Sequence, residues 1–291
     1  MLYDVRLRMA YDYDRPVAGG RHHVRAMPLA IPGRQRVISA SLSVEPHPAE
    51  RVDSEDFFGN RVSAITYRDS HRRFSFSMGA RVAVERAGAA EASSGMKKLA
   101  AEVRGHRSLD AGSPHHFLGP SRLIDADTGI ADYARQSVTT SASVADIAKD
   151  LTMRINADFT YDGKATDVRT APRTAFELKR GVCQDFSHIM IAGLRGVGIP
   201  AAYVSGYLRT VPPKGCERLE GADAMHAWVR VWCGEAAGWL EFDPTNAMRA
   251  GEDHIVAGFG RDYSDVAPVI GVMRTLGDQK VSQAVDVVPL E

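Results

Sequence analysis

The chain has 291 residues, of which 44% are hydrophobic and 25% charged, a composition typical of soluble globular proteins and long enough for two domains of ordinary size. Lys and Arg number 36, as do Asp and Glu, so the formal net charge is zero, which excludes strongly basic proteins that attract nucleic acids or anionic membranes. The three cysteines are an odd number and favour reduced thiols over a disulfide framework.

The N-terminal sequence, MLYDVRLRMAYDYDRPV, alternates polar and apolar residues as a strand does. It lacks the basic start, apolar run and small-residue cleavage site of a secretory signal. No apolar run approaches the roughly 18 residues that a membrane helix needs. Together with the cysteine count, these features predict a cytoplasmic protein without a nucleic-acid or membrane partner.

Residues 1–90 are predicted to form an all-β, sandwich-like domain. Short alternating runs are separated by Gly, Pro and Asn residues, which favours antiparallel strands. Polar residues in these runs, including His22, His23 and His71, are expected on the solvent faces of the strands. The runs are VRLRMAYDYD, HHVRAMPLAI, QRVISASLSVEP, FGNRVSAITYR and RRFSFSMGARVAVER.

Residues 91–140 are rich in Ala, Ser and Gly and are predicted to form a partly helical connector. A helix is predicted from Ser143, because apolar residues follow it at three- and four-residue spacing and Asp146 completes a capping-box pattern. This helix opens the predicted second domain, residues 141–291.

The next helix is predicted in GVCQDFSHIMIAGLRGVGIP. Apolar side chains recur at helical spacing after Cys183, and glycines with a proline end the pattern. Cys183 is therefore expected at or next to a helix N-terminus, where the partial positive charge of the helix favours a thiolate.

The segments HAWVRVWC and GWLEFDPTNA are predicted to form a hairpin, joined by GEAAG. Antiparallel register places Asp243 opposite a position between about 226 and 229, at the same end of the hairpin as His226. An aspartate there can accept a hydrogen bond from one imidazole nitrogen while the other nitrogen faces a thiol. Cys183, His226 and Asp243 are thus a candidate catalytic triad.

Each triad residue also has a structural interpretation. Cys183 alone could be an inert buried thiol, His226 a hydrogen-bonded sheet histidine and Asp243 a turn residue. A zinc site is a further alternative, but the spacings of its candidate ligands match no common zinc motif. These candidates are Cys183, His188, Cys216, His226 and Cys233. Cys216 is expected in an exposed loop and Cys233 in the core. The joint arrangement favours catalysis, and no metal or other cofactor is predicted.

Three stretches give a specific resemblance: GVCQDFSHIMIAGLRGVGIPAAYVSGYL, DAMHAWVRVW and WLEFDPTNA. They resemble the bacterial transglutaminase-like family, relatives of animal transglutaminases and papain-like proteases. YDYDRPV, QRVISASLSVEP and DFFGN resemble the β-rich N-terminal domain of that family, and HIVAGFGRDYSDVAPVIGV its C-terminal segment. The resemblance implies an α+β fold, in which a helix bearing the nucleophile packs on an antiparallel sheet after the all-β domain.

The resemblance also implies roles: Cys183 as nucleophile, His226 as general base and acid, and Asp243 as the residue that orients the imidazole. It implies a thioester acyl-enzyme formed on a protein or peptide substrate. The backbone N–H of Cys183 would hold the oxyanion, and Tyr161 is either a second donor or a packing aromatic.

Further residues match the family near the nucleophile and in the tail. Gln184 and Asp185 have either a catalytic role or a capping role at the helix start. Residues 261–263, which are Arg261, Asp262 and Tyr263, are expected to border the substrate cleft.

The predicted function is a cysteine peptidase or amidase that hydrolyses an amide or peptide bond through Cys183. The first alternative is a protein-glutamine transglutaminase, in which a primary amine replaces water as the acceptor. The second alternative is a binding or scaffold module that keeps the fold without turnover. Water is the expected acceptor because no amine site is identifiable in the sequence.

Overall fold

The computed structural model describes residues 1–85, 92–210, 221, 223–274 and 277–290. Cys216 therefore lies outside the described residues. The described chain is built from strands and helices in a seven-stranded sheet, a five-stranded sheet and a small parallel pair of strands. This architecture confirms the predicted α+β class.

The longer strands of the described chain lie on either side of a mainly helical region, residues 96–196. The strands are β1 (Leu2–Val24), β2 (Gln35–Glu45), β3 (Glu50–Glu55), β4 (Arg61–Tyr67), β5 (His71–Val84), β6 (Thr160–Tyr161), β7 (Arg180–Gly181), β8 (Ala201–Leu208), β9 (Ala224–Trp232), β10 (Trp239–Asp243), β11 (Met248–Arg249), β12 (His254–Gly260), β13 (Val269–Arg274) and β14 (Gln279–Leu290). The helices are α1 (Met96–Gly105), α2 (Thr128–Arg135), α3 (Val144–Asp158), α4 (Pro172–Leu178), α5 (Cys183–Gly196) and α6 (Tyr263–Val266), with a 3₁₀ turn at Pro114–Phe117.

The seven-stranded sheet is organised around β1. The first half of β1 pairs with β5 and β14, and its second half pairs with β4 and β13. Both parts contribute to one core cluster, which includes Tyr3, Ile65, Phe74 and Val285. This arrangement confirms the predicted sandwich-like β domain. The C-terminal strands β13 and β14 complete it, a pairing that no sequence pattern indicated.

The number of N-terminal strands differs from the prediction. VRLRMAYDYD and HHVRAMPLAI are predicted as separate strands, yet both belong to β1. Register shifts occur between Asp12 and Val17 and between Ala18 and Gly20, so Pro16 lies at an irregularity of the ladder and does not end the strand. β3 escaped prediction because all its residues are exposed and no alternation marks it.

The predicted exposure of the N-terminal histidines is wrong for His22. Its side chain is buried and stacks on Phe74 with ring centroids 4.5 Å apart. Glycine makes the space, since a Cβ at Gly271 would lie 2.4 Å from His22 Nδ1. Burial lowers the pKa of His22 to about 4, so the ring is neutral at pH 7. His23 is exposed as predicted, whereas His71 is half-buried.

The helices cover the five-stranded sheet. α3 begins where the sequence predicts, because Ser143 Oγ accepts from Asp146 N–H while the Asp146 carboxylate accepts from Ser143 N–H. α2 packs closely on α5, since a Cβ at Gly193 would lie 2.8 Å from Ala134 Cβ. None of the described helices is long and apolar enough to span a membrane.

The segment predicted as a connector contributes to the core of the five-stranded sheet. Leu99 of α1 and Ile130 of α2 lie in the same cluster as Phe186 and Ile189 of α5. The predicted limits at residues 90 and 140 stay predictions, because a shared core does not mark where one folding unit ends.

The five-stranded sheet is antiparallel, in the order β11-β10-β9-β8-β12. β9 and β10 form the predicted hairpin, whose ladder ends with Phe242 opposite Val229. Both of these residues lie in the core that α5 covers. The helix that begins at Cys183 therefore packs on an antiparallel sheet, as predicted.

An ion pair with a buried carboxylate joins the N-terminal segment to the five-stranded sheet. Both terminal nitrogens of the Arg34 guanidinium donate to the Glu241 carboxylate on β10. Trp228 Nε1 donates to the same carboxylate at 2.5 Å. The Glu241 side chain is 4% exposed. Removing this carboxylate leaves a guanidinium and an indole N–H without their acceptor in the interior.

We expect Glu241→Ala to lower the free energy of unfolding by about 3–5 kcal/mol, the cost of breaking a buried ion pair. Glu177→Ala is the matched control, because Glu177 also pairs with an arginine, Arg173, but is 60% exposed. The control should leave stability nearly unchanged, since exposed ion pairs contribute little. Urea unfolding of both variants measures the difference, and equal losses would contradict the expectation.

Candidate active site

Cys183 is the first residue of α5, as the sequence predicts. Val182 before it is extended, with φ −114° and ψ −179°. The Asp185 carboxylate accepts a hydrogen bond from Val182 N–H at 2.8 Å and another from the Thr166 hydroxyl at 2.7 Å. These bonds fix the helix start. Backbone N–H groups of the first turn lack partners within a helix, so they favour an anion beside Cys183.

Asp185 and Gln184 both make structural contacts. Asp185 is buried, and burial raises the pKa of its carboxyl despite its hydrogen bonds. Gly181 must be glycine, because a Cβ there would lie 2.5 Å from Asp185 Oδ2. Gln184 Nε2 donates to the Val168 carbonyl at 3.2 Å, which ties the loop before α4 to α5. A catalytic role for either residue stays a prediction.

His226 and Asp243 meet at one end of the β9–β10 hairpin. His226 Nε2 lies 2.8 Å from Asp243 Oδ2, and the two side chains are 8% and 0% exposed. The Cys183 thiol lies close enough to this imidazole to raise its pKa. The structure thus brings the three predicted triad residues together in the order thiol, imidazole, carboxylate.

Asp243 accepts several further hydrogen bonds. Its Oδ1 accepts hydrogen bonds from the backbone N–H groups of Thr245 at 2.9 Å and Asn246 at 3.2 Å. Its Oδ2 accepts hydrogen bonds from Asn246 Nδ2 at 2.7 Å and His254 Nε2 at 3.1 Å. Asp243 is therefore a turn residue and an imidazole partner at once, so the two interpretations of this residue are compatible.

The hydrogen bonds set the charges of the site. Burial alone would lower the pKa of His226, but its hydrogen bond to Asp243 and the nearby Cys183 thiol outweigh burial and raise the pKa to about 10. Burial likewise acts to raise the pKa of Asp243, yet the bonds from His226 and His254 hold it well below its usual range. These neighbours therefore favour the charged form of the His226 ring and the ionised form of the Asp243 carboxyl.

The raised pKa of His226 also links its charge to folding stability. The unfolded pKa of histidine is about 6.5, so the contribution of the charged ring is complete below that pH. It is lost as the pH rises through the window up to the folded value of about 10.

Three tyrosines lie within electrostatic reach of Cys183. Burial raises the pKa of Tyr161, Tyr203 and Tyr263, and the charge of Cys183 adds to each shift. Tyr161 is 61% exposed, and its ring packs edge-on near Phe186 with centroids 6.5 Å apart. Tyr161 thus has the location for either of its predicted roles.

The predicted cleft residues of the tail make different contacts. Tyr263 lies near enough to Cys183 for the charge of the sulfur to act on its hydroxyl. Asp262, in contrast, is buried and caps α6 by accepting from Ser264 N–H at 2.8 Å. Arg261 forms an ion pair with Asp265 at 2.9 Å.

His254 and Asn246 are partners of Asp243 that the sequence analysis did not identify. Asn246 follows Asp243 closely in DPTN, which is a turn signal and could have suggested a local bond. His254 begins β12, which pairs with β8 and not with β10. No spacing rule connects residues brought together across that many strands.

His226, Asp243 and His254 also form a group whose ligand atoms lie within 4.8 Å of one another, close enough to hold a metal ion. Gly251 N–H donates to His254 Nδ1 at 3.2 Å, which leaves the hydrogen of a neutral ring on Nε2. That nitrogen is then a donor to Asp243 and not a free ligand. Cys233, a residue of the zinc alternative, is buried as predicted, and burial raises the pKa of its thiol to about 12.

Known proteins match this chain along most of its length. The bacterial transglutaminase-like N-terminal region matches residues 3–83, and the transglutaminase-like superfamily matches residues 131–244. An uncharacterized protein of Mycobacterium tuberculosis strain H37Rv is 36% identical over 265 residues, which cover 89% of this chain and 83% of that protein. An uncharacterized Mycobacterium leprae protein is 39% identical over 133 residues, or 45% of each chain.

Among solved structures, a candidate cysteine protease from Cytophaga hutchinsonii matches with a TM-score of 0.79 at 22% sequence identity. The match covers 100% of this chain and 91% of that one. The two chains therefore share a fold across both sheets.

Proposed function

The chain belongs to the bacterial transglutaminase-like family, and from that premise we propose that it hydrolyses amide bonds of protein or peptide substrates with Cys183 as nucleophile. The proposal is carried by one observation, a buried imidazole, His226, that is bonded to the Asp243 carboxylate and interacts electrostatically with the Cys183 thiol. The cysteine-protease-like fold supports the same class of reaction.

The first chemical step is attack of Cys183 Sγ on the carbonyl carbon of the substrate. The thiolate is available because His226 holds the proton as an imidazolium next to Asp243. Negative charge develops on the carbonyl oxygen, and the backbone N–H of Cys183 at the positive end of α5 donates to it. Tyr161 is the proposed second donor, because the charge of Cys183 acts on its hydroxyl.

The tetrahedral intermediate then collapses. His226 gives its proton to the nitrogen of the substrate, the C–N bond breaks, and the amine leaves behind a thioester on Cys183. In the second half of the reaction, His226 takes a proton from water while the water oxygen attacks the thioester. The C–S bond then breaks, which releases a carboxylic acid and free Cys183. Asp243 keeps the ring oriented and stabilises its charge throughout.

The masses of the products show whether water or a primary amine accepts the acyl group from Cys183. The purified full chain is incubated with glutamine-containing peptides, with and without an excess of a primary amine such as methylamine. We expect cleaved or deamidated peptides, with no amine incorporated in either case. Incorporation of methylamine would replace the hydrolase by the transglutaminase alternative, and the absence of any turnover would favour the scaffold alternative.

The cytoplasm is the proposed compartment. Cys183 and Cys233 are free thiols, and the total of three cysteines supports a reducing environment, in which a catalytic thiol also stays active.

A further inference from the structure

The Asp243 carboxylate accepts hydrogen bonds from two imidazoles, whereas the proposed reaction uses only one of them. Asp243 Oδ2 lies 2.8 Å from His226 Nε2 and 3.1 Å from His254 Nε2. All three side chains are buried. A strand can begin without a buried histidine bonded to a carboxylate, so the pairing of β12 does not explain His254. Which ring nitrogen of His254 carries the hydrogen decides whether the ring donates a hydrogen bond to Asp243.

The hydrogen bonds of His254 place its ring hydrogen on Nε2. Gly251 N–H donates to His254 Nδ1 at 3.2 Å, so Nδ1 is an acceptor and carries no hydrogen. The ring hydrogen on Nε2 is donated to Asp243. His254 thus supplies a hydrogen bond to the carboxylate and, unlike His226, has no nitrogen left to exchange a proton with a substrate.

The ring of His254 is fixed in position. His254 pairs with Leu208 on β8, and the Trp228 ring packs edge-on against the imidazole with centroids 5.1 Å apart. Gly206 gives the indole its room, since a Cβ there would lie 2.5 Å from the Trp228 ring and 2.2 Å from the Ile255 carbonyl oxygen. Backbone, indole and carboxylate together set the direction of the Nε2–H bond.

The charge that faces Asp243 from β9 is that of His226, and Cys183 on α5 acts in turn on His226. Two other carboxylates near His254 already have partners. Asp253 accepts hydrogen bonds from Tyr3 and Arg209, and Glu241 accepts them from Arg34 and Trp228. The charge of Asp243 is therefore shared between the imidazole that reacts and the imidazole that holds the carboxylate.

We propose that His254 is a positioning residue, whose Nε2–H holds the Asp243 carboxylate in the orientation that receives His226. The inference rests on the proposed function and adds a second imidazole to it. With His254 in place, Asp243 Oδ2 stays directed at His226 while that ring gains and loses its proton. Without it, the carboxylate loses a charge-assisted hydrogen bond, and the thiolate–imidazolium pair forms less readily in acid.

The test is the pH dependence of Cys183 alkylation by iodoacetamide in the full chain, followed by peptide mass spectrometry. His254→Phe removes the donor and keeps a ring, whereas His254→Gln keeps an amide N–H near the position of Nε2. We expect the Phe variant to react about tenfold more slowly than the wild type at pH 5, the effect of losing one hydrogen bond to a charged group. The difference should shrink at pH 8, and the Gln variant should stay within about threefold of the wild type.

A Phe variant with the wild-type pH profile, or Phe and Gln variants that lose reactivity equally, would overturn the proposal. Circular dichroism establishes that the variants fold. Should the Phe variant fail to fold, ¹⁵N chemical shifts of the wild-type imidazoles decide the matter. A protonated Nε2 with an unprotonated Nδ1 in His254 supports the proposal, and a hydrogen on Nδ1 overturns it.

Alkylation needs no substrate, so this test separates the role of His254 from the proposed function. If no amide substrate were turned over, the hydrolase proposal would fall. A difference between the Phe and Gln variants in alkylation would still show that His254 acts on the Cys183–His226 pair.

Discussion

Cys183→Ala is expected to lower kcat/KM for amide hydrolysis by about 10⁴-fold or more, because the proposed acyl-enzyme forms on the Cys183 sulfur. Cys183→Ser should be nearly as inactive, since a serine hydroxyl is far less acidic than a thiol and His226 at this site is tuned to hold the proton of a thiol. Peptide cleavage followed by mass spectrometry measures both losses.

Cys216→Ser is the matched control, because it also removes one thiol and should leave hydrolysis unchanged. Both Cys183 variants should retain the wild-type circular dichroism spectrum and melting temperature, since Cys183 is half-buried at a helix start. Retention of more than a few per cent of activity by Cys183→Ala would contradict a covalent mechanism through this residue.

Asp243→Asn is expected to lower kcat by about 10²–10⁴-fold with a smaller change in KM. The carboxamide keeps the size of the side chain but removes the anion that stabilises the His226 imidazolium. It also presents an N–H group where the carboxylate accepts hydrogen bonds from His226 and His254. The matched control is Asp132→Asn, which alters an exposed carboxylate paired with Arg135 and should leave kcat unchanged.

The same substitution should change stability in a pH-dependent way. The pKa of Asp243 is held well below its usual range, so the carboxylate contributes stability above about pH 3.9, the unfolded pKa. That contribution is lost as the pH falls through the folded pKa. The stability difference between the wild type and Asp243→Asn should therefore be largest near neutrality and shrink in acid. A difference that grows in acid would contradict the assigned charge.

The parts of the site that sequence patterns predicted are those set by local structure. Apolar spacing after Cys183 fixes the start of α5, because a helix buries one face at a period of 3.6 residues. A short hairpin connection limits which residues face one another, so His226 and Asp243 could be placed at the same end of β9 and β10. Chain-local rules sufficed for these three residues.

The parts that escaped prediction depend on contacts between distant segments. His254 reaches Asp243 through the pairing of β12 with β8, and β14 returns to pair with β1. The burial of His22 depends on the glycine at position 271 of a strand far along the chain. No periodicity in one segment encodes which other segment will pack on it, so such contacts follow only from the complete fold.

The proposed mechanism depends on the ionisation of Cys183, which alkylation at pH 6 measures directly. An ordinary cysteine with a pKa of about 8.5 is only about 0.3% ionised at this pH, so Cys216, expected in an exposed loop, serves as the internal reference. Iodoacetamide should label Cys183 at least about tenfold faster than Cys216, and His226→Gln should abolish the advantage. Equal labelling rates of Cys183 and Cys216 in the wild type would contradict the proposed mechanism.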